Sequence, residues 1–371
     1  MSDAAAPDPL NICFSLADQS FARTKSVGIY NLSLGLLEAL ARHDCVGRLT
    51  ALTNAESDAR MPEGVATRRH DSAGGGKIGR ILWDQWGVYS AAKSTGADWL
   101  LLPKGFASFV RKPPLKLATY VHDTMNEWYR KNYPESVSAM ESAYFHRAFK
   151  ASLRHSDIIL TNTDFSAAEI RRAADRFGIP APRIVTAGIG FERPRQLFAK
   201  RERIVVLASP HPHKLTPMAI DWMSRWDKGS EWPVDWIGSL PDGVTPPARD
   251  NWHFHSRLPE SEYRETVNSA RILVFFSEHE GFGMPPVEAA IAGVCPVHSS
   301  IPATNEVMGG TGLRFDNDDY ESFANAMNEA KQVSADRLQT WAEELLERHN
   351  WTKVADRVVK GMRENSAPGR P

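Results

Sequence analysis

Two glutamates, Glu280 and Glu288, stand with seven residues between them in the stretch Ser277–Val297, SEHEGFGMPPVEAAIAGVCPV. Gly281 and Gly283 follow the first of them, and glycine lets a backbone come close to a ligand. Amides at the start of a helix are unpaired and sit at the positive end of its dipole, which favours an anion. Carboxylates do not bind phosphate; they accept hydrogen bonds from hydroxyls. Amides for a phosphate and carboxylates for hydroxyls together suit a sugar–nucleotide. An ordinary strand–loop–helix turn with solvated glutamates fits the same spacing equally well.

The flanking residues say which elements hold this stretch. Arg271–Phe276 (RILVFF) is the apolar, β-branched and aromatic run of a strand buried on both faces of a parallel sheet. Pro285 and Pro286 can start a helix, where a missing N–H costs little, and this reading puts Glu288 in its first turn. Gly293 ends the helix, and Val294–Val297 begins the next strand. Other residues with chemical potential also follow apolar runs. Gly28 lies in SVGIYN, between a first strand Leu10–Leu16 and a helix Leu32–Leu40. His122 ends the strand Leu117–Val121, His213 and Lys214 follow the strand Ile204–Ala208, and Arg257-Leu258 follows Asn251–His255. The carboxyl ends of parallel strands are where open α/β sheets bind ligands. Taken singly, Gly28 reads as a turn residue and His122 as a structural histidine.

EGFGMPPVEAAIAG, followed by PV and IPATNEV, resembles the donor-site signature of retaining GT-B glycosyltransferases of family 4, glycosyltransferase group 1. The pair Glu280 and Glu288 matches its two glutamates, and Glu306-Val307 its later Glu-Val. The resemblance implies two Rossmann-like, doubly wound α/β domains with a cleft between them. It implies an acceptor-side domain over residues 10–190, a nucleotide-sugar donor domain over 200–350, and a helix over 351–364 crossing back onto the first domain. It implies that Glu280 holds sugar hydroxyls, Glu288 the ribose, and the amides of Gly281, Phe282, Gly283 and Met284 the diphosphate. The Gly28 amide would approach the donor phosphates, His122 would meet the donor sugar, and the backbone at Leu258, beside Arg257, would meet the base. Lys214 matches a phosphate-gripping lysine. His213 stands where the family has arginine and Leu215 where it has asparagine, so a permanent forked charge becomes an imidazole charged only in part near neutrality.

The implied reaction moves a sugar, from GDP-mannose or a UDP-sugar, to a hydroxyl of a saccharide or lipid-linked acceptor, with retention and without metal or cofactor. O-antigen, exopolysaccharide and glycolipid synthesis are the settings it implies. A catalytically weak donor-binding subunit, or a sugar-nucleotide epimerase on the same fold, are the alternatives. A phosphorylase would need a longer chain.

Composition bounds this reading. The 371 residues suffice for two domains. No apolar run approaches the ~20 residues of a membrane span, and MSDAAAPDPL lacks the plan of a signal peptide. Cys13, Cys45 and Cys295 show no metal-ligand spacing and read as reduced residues of a cytoplasmic protein. Net charge of −1 argues for no nucleic-acid partner. Residues 1–190 carry 23 basic and 19 acidic side chains, residues 191–371 carry 21 and 26, so the first half could face an anionic acceptor or the inner surface of a membrane. Glu127–Tyr133 and Tyr144–His155 are the basic, aromatic segments that could do so. Asp71–Gly79 reads as a flexible loop, and residues 1–9 and the tail from Asn365 as unstructured.

Overall fold

The structure, a computed structural model, describes residues 8–19, 27–74, 76–196, 198–227 and 232–365. Residues 1–7 and 366–371, read above as unstructured, lie outside the described residues, as do Ser20–Ser26 ahead of Gly28. The chain forms two compact units, one of residues 1–190 and 350–371, the other of residues 191–349.

Among the described residues, unit 1 is built on seven strands: β1 (Leu10–Ser15), β2 (Val46–Thr53), β3 (Ala66–Arg69), β4 (Trp99–Leu102), β5 (Lys116–Tyr120), β6 (Ile158–Thr161) and β7 (Arg183–Thr186). Their order is β3-β2-β1-β4-β5-β6-β7, with every pairing parallel. Unit 2 has six, β8 (Ile204–Leu207), β9 (Val234–Ile237), β10 (Trp252–His255), β11 (Ile272–Phe275), β12 (Cys295–Ser299) and β13 (Leu313–Phe315), in the order β10-β9-β8-β11-β12-β13, again all parallel. The helices in chain order are α1 (Val27–Ala41), α2 (Ala55–Asp58), α3 (Gly76–Leu82), α4 (Val88–Lys93), α5 (Met125–Asn132), α6 (Ala139–His155) and α7 (Asp164–Phe177). They continue with α8 (Thr216–Trp226), α9 (Glu260–Ser269), α10 (Met284–Ile291), α11 (Pro302–Met308), α12 (Tyr320–Ala330), α13 (Ala335–Arg348) and α14 (Trp351–Glu364).

Parallel strands need both faces covered, and these strands are buried along their whole length and apolar except for Thr161: WLLL in β4, IILT in β6, ILVF in β11. In unit 2 an aromatic cluster closes one face of the sheet, with Phe276 packed 4.7 Å from Phe315 and Trp222 set edge-on to both. Each such ring removes roughly 150–250 Å² from water, which makes these contacts the main hold on the sheet. Helix ends follow local chemistry: Thr163, Asp319, Ser334 and Asn350 each cap a following helix through a side-chain oxygen.

Three local readings are corrected. Asp71–Gly79 is no plain loop: a 3₁₀ turn spans Asp71–Gly74 and α3 begins at Gly76. The sequence Ile81–Ser94 reads as a single helix, but a π turn, Trp83–Gly87, interrupts it, with the Val88 N–H reaching back to the Trp83 carbonyl. Gly28 lies inside the first turn of α1 rather than in a loop before it. β3 went unread because its four residues, ATRR, are all exposed and carry no apolar signal.

The last helix, α14, belongs to unit 1. Its Gly361 lets Ile158 of β6 approach, since a Cβ there would lie 2.6 Å from the Ile158 Cδ1, and its Arg357 donates to the Ala187 carbonyl at 3.0 Å. The indole of Trp351 occupies a slot between two glycines: a Cβ on Gly35 of α1 would lie 2.2 Å from the ring, and one on Gly190 would lie 2.3 Å from it. Alanine usually stabilises a helix interior relative to glycine. Gly35→Ala should instead lower stability, by about 1–3 kcal/mol, through overpacking. In a Trp351→Ala background the same change should raise stability by roughly 0.5–1 kcal/mol. Equilibrium urea unfolding of the parent and the three variants measures this, and one sign in both backgrounds would refute the slot.

Candidate functional site

In unit 2 the carboxyl ends of β8 and β11 are neighbours, and the loops that leave them converge. After β8 the chain makes a 3₁₀ turn, Pro212–Lys214, and enters α8 through Leu215. Thr216 holds this loop from inside, accepting from the Ser209 N–H at 3.0 Å and donating to its carbonyl at 2.7 Å. Leu215 has φ 50°, the left-handed region that asparagine tolerates and leucine disfavours. Its side chain is packed against the unit 2 core, which offsets that cost. Gly238, at the end of β9, has φ 121°, and a Cβ there would lie 1.9 Å from the Ala208 carbonyl oxygen. That close approach sets where the loop after β8 departs.

The loop after β11 is tied to the first by backbone. Glu278 N–H donates to the His213 carbonyl at 2.7 Å. Ser277 is fully buried, its N–H donating to Ser299 Oγ at 2.9 Å and its carbonyl accepting from Asn317 at 2.9 Å. Its hydroxyl donates to Glu280 Oε1 at 2.7 Å. The same oxygen pairs with the Lys214 ammonium, which also stands 4.6 Å over the Phe275 ring. The side chains of Lys214 and Glu280 keep only 24% and 14% of their exposure, so each is the other's main solvent. Burial alone would raise the Glu280 pKa; Lys214, through charge and hydrogen bond, and the Ser277 hydroxyl hold it below the usual glutamate value.

His213 sits in this cluster but not as a shared cation. Burial, and then the Lys214 charge, lower its pKa to about 4 against the opposing pull of Glu280. The expectation of partial charge near neutrality is therefore corrected: the imidazole is neutral, and Lys214 is the cation of this cluster.

β11 leads to α10, whose N-cap is Gly283 at φ 86°. A Cβ there would lie 2.7 Å from Thr304 Oγ1, so only glycine fits beneath α11. No side chain caps α10, and Pro285 and Pro286 contribute no N–H. Glu288 is the fifth residue of α10, past the first turn where it was expected, because the helix starts at Met284. Its side chain has solvent access, yet the surrounding protein raises its pKa against the pull of Arg264. With Tyr263, whose pKa burial and the Glu288 charge push up to about 12, it faces α9. Leu258 and Tyr263 pack against the same cluster that holds Ala289 of α10, while Arg257 is exposed. Phe282 is buried, stacked on Phe191 at 5.9 Å, and Glu306 is exposed on α11. His213, Lys214 and Glu280 thus form one group, and Leu258 and Glu288 share a second face of unit 2.

Gly28 and His122 belong to unit 1. The His122 Nε2–H donates to the Pro103 carbonyl at 2.7 Å, its ring stacks on Tyr120 at 4.9 Å, and burial lowers its pKa to about 4 despite that hydrogen bond. Its own carbonyl accepts from Asn162 at 3.1 Å. A neutral, fixed tautomer leaves Nδ1 as an acceptor. Sequence reasoning missed the residues beside it. Lys104, next to Pro103, pairs with Asp18, and Asp84 accepts from the Tyr144 hydroxyl at 3.1 Å. Charged residues directly after the buried strands β1 and β4 were the available signal. Among the described residues no group of three or more His, Cys, Asp or Glu could hold a metal ion, and no helix is long and apolar enough to cross a membrane. The aromatics of the two segments read as a surface are half-buried in mutual contacts, such as Trp128 with Tyr133 and Tyr144 with Phe109. The exposed apolar side chains of unit 1 are instead Ile78, Leu82, Trp86, Val110 and Met140, among others.

Comparison with known proteins adds names to this geometry. Residues 247–345 match the family model of glycosyl transferases group 1. The chain is 24% identical over 245 residues to O-antigen chain mannosyltransferase B of Escherichia coli, a match covering 57% of each. It is 31% identical over 85 residues to O-antigen chain mannosyltransferase RfbU of Salmonella typhimurium, covering 23% of this chain and 24% of that one. These matches therefore span little more than half of the longest-matched relative. Among solved structures, Anabaena Alr3699/HepE in complex with UDP and glucose superposes with a TM-score of 0.66 at 14% identity, covering 96% of this chain and all of that one. A sucrose-phosphate synthase of Thermosynechococcus elongatus superposes with a TM-score of 0.65 at 16% identity, covering 96% and 98%. At these identities the likeness is one of fold.

The Lys214–Glu280 pair yields a test. In the parent, the lowered Glu280 pKa contributes stability above the unfolded value of ~4.3, lost as pH falls through the folded value. Lys214→Met keeps the contact with Phe275 but leaves the carboxylate to burial, which raises its pKa. The variant should then lose stability as pH rises, and fall about 3 kcal/mol below the parent at pH 7.5, with a smaller gap near pH 4.5. Urea denaturation at both pH values measures the gap; an equal gap would mean Lys214 does not hold the carboxylate ionised.

Proposed function

We propose that this chain, of GT-B fold and with a glycosyl transferases group 1 domain at residues 247–345, is a retaining glycosyltransferase that uses a nucleotide diphosphate sugar. The observation that carries the reading is the Lys214–Glu280 pair beside the uncapped start of α10. A departing nucleotide diphosphate builds negative charge, and Lys214 with the amides of Gly281–Met284 supplies the opposing field. Glu280 trades part of its bond with Lys214 for a donor-sugar hydroxyl. Glu288 and the backbone at Leu258, on the neighbouring face, take the ribose and base. The neutral His213 packs the loop and leaves its charge role to Lys214. In unit 1, His122 offers a neutral nitrogen to the sugar, and Gly28 an amide at the start of α1. With the leaving group stabilised by protein groups, turnover should persist in EDTA.

Mannose is the sugar favoured by the relatives' names, and a saccharide or lipid-linked acceptor of a surface polysaccharide the matching hydroxyl. The exposed apolar side chains of unit 1 would serve peripheral contact with a cytoplasmic membrane face. One observation favours a second reading, a donor-binding subunit of weak catalysis: the neutral His213 at the position where the family resemblance expects arginine.

A thermal-shift panel of GDP-, UDP-, ADP- and dTDP-sugars identifies the donor. That donor should be hydrolysed slowly without acceptor, and Glu280→Ala and His122→Ala should suppress this while the fold survives. Glu288→Ala should weaken nucleotide binding by roughly 1.5–3 kcal/mol, the worth of a hydrogen bond to a charged group. Binding without any turnover supports the subunit. A panel in which no nucleotide sugar shifts the melting temperature removes both readings.

A further inference from the structure

The amides proposed to meet the diphosphate, Gly281–Met284, run through two glycines, and glycine resists backbone rotation least. No side chain caps α10, so the direction of these N–H groups depends on what holds Phe282, the residue between the glycines. Phe282 is 4% exposed. It stacks on Phe191 at 5.9 Å and meets the imidazole of His349 edge-on at 5.3 Å, and Phe191 lies edge-on to His349 at 6.1 Å. Phe191 and His349 are the first and last residues of unit 2. Their backbones are joined as well, the Phe191 N–H donating to the His349 carbonyl at 2.9 Å. The chain therefore enters and leaves unit 2 side by side, and both ends grip the ring at the centre of the loop.

His349 is fixed from a second direction. Its Nε2–H donates to the Val307 carbonyl of α11 at 2.9 Å, and Arg348 Nη1 donates to the same oxygen at 3.1 Å. α11 also carries Thr304, which lies directly beneath Gly283. Phe282 and Gly283, neighbours in the loop, are thus held by two arms that meet at His349. One arm is its ring; the other runs through Val307 and α11. A leucine could fill the buried space, but a ring bearing an N–H both packs edge-on to Phe282 and binds the carbonyl.

We infer that His349 is a positioning residue of the anion loop, an assignment that rests on the proposed donor site. Through Phe282 and α11 it aims the Gly281–Met284 amides, and it ties them to the backbone where the chain leaves unit 2. Coupling of this kind is reciprocal. A diphosphate held by the amides should in turn tighten the bond between the Phe191 N–H and the His349 carbonyl.

The test compares GDP with GMP, UDP with UMP and ADP with AMP by isothermal titration of the full chain. Glu288 and the backbone at Leu258 are the proposed partners of ribose and base, so the ratio of diphosphate to monophosphate affinity isolates the loop. His349→Leu should lower that ratio about tenfold, the effect of one misdirected bond to a charged group. His349→Phe keeps a ring and loses only the bond to Val307, and should lower it about threefold. A residue that only stabilised the fold would change both affinities together or neither. Hydrogen exchange gives the second readout. Saturating diphosphate should slow exchange of the Phe191 N–H in the parent and not in His349→Leu, although the accepting backbone carbonyl is retained there. An unchanged ratio in both variants, or no slowing at Phe191 in the parent, overturns the inference and leaves the donor site standing. If His349→Leu does not fold, His349→Phe and the parent's exchange decide. A parent that binds none of the three diphosphates overturns the inference and the proposed function together.

Discussion

Taking an ammonium and a carboxylate out of water costs several kcal/mol for each ion, by a rough accounting, and only close pairing and further hydrogen bonds offset it. Lys214 and Glu280 meet that demand with Ser277 as the third member. The rest of unit 2 follows from keeping these three together. The two loops that carry them must leave adjacent parallel strands, so β8 and β11 must be neighbours in the sheet. Backbone bonds between the loops, Glu278 to His213, keep the register. Gly238 leaves room for the Ala208 carbonyl where the first loop departs, and Gly283 leaves room for Thr304 of α11 where the second enters α10.

Burial, and then the Lys214 charge, lower the pKa of a neighbour against the pull of Glu280. A buried imidazole beside an ammonium does not hold a proton near neutrality, and His213 is therefore neutral. An unpaired Lys214 would be poised for an anion; a paired one must exchange partners when an anion arrives.

Unit 1 solves a related problem with different parts. Asp18 and Lys104 pair just past the carboxyl ends of β1 and β4, and Asp84 in the π turn lies within reach of both and of Arg80. The Asp84 carboxyl is left half-way to protonation near pH 6, whereas Glu280 is held ionised. The difference lies in what opposes burial: an ammonium bonds Glu280 directly, while Lys104 acts on Asp84 only through space and Asp18 works against it.

Much of the fold was legible in the sequence. Continuous apolar runs announced the buried strands β1, β5 and β11, because each is a local pattern of side chains, and the family resemblance implied the last helix over residues 351–364, which α14 matches. The signature from Glu280 to Glu288 was legible for the same reason, since strand, loop and helix follow one another along the chain. Other features were not. The polar edge strand β3 has no apolar pattern, and the π turn at Trp83 keeps the apolar spacing of an ordinary helix while shifting its hydrogen bonds by one residue. By itself the sequence determined which residues lie at the ends of which strands, because burial demands and turn chemistry are written locally. Only the tertiary structure decided that Lys214 meets Glu280, that His213 is neutral, and that Asp18, Asp84 and Lys104 share a cleft. Pairing and pKa depend on distance and burial between segments far apart in sequence, and no local pattern encodes them.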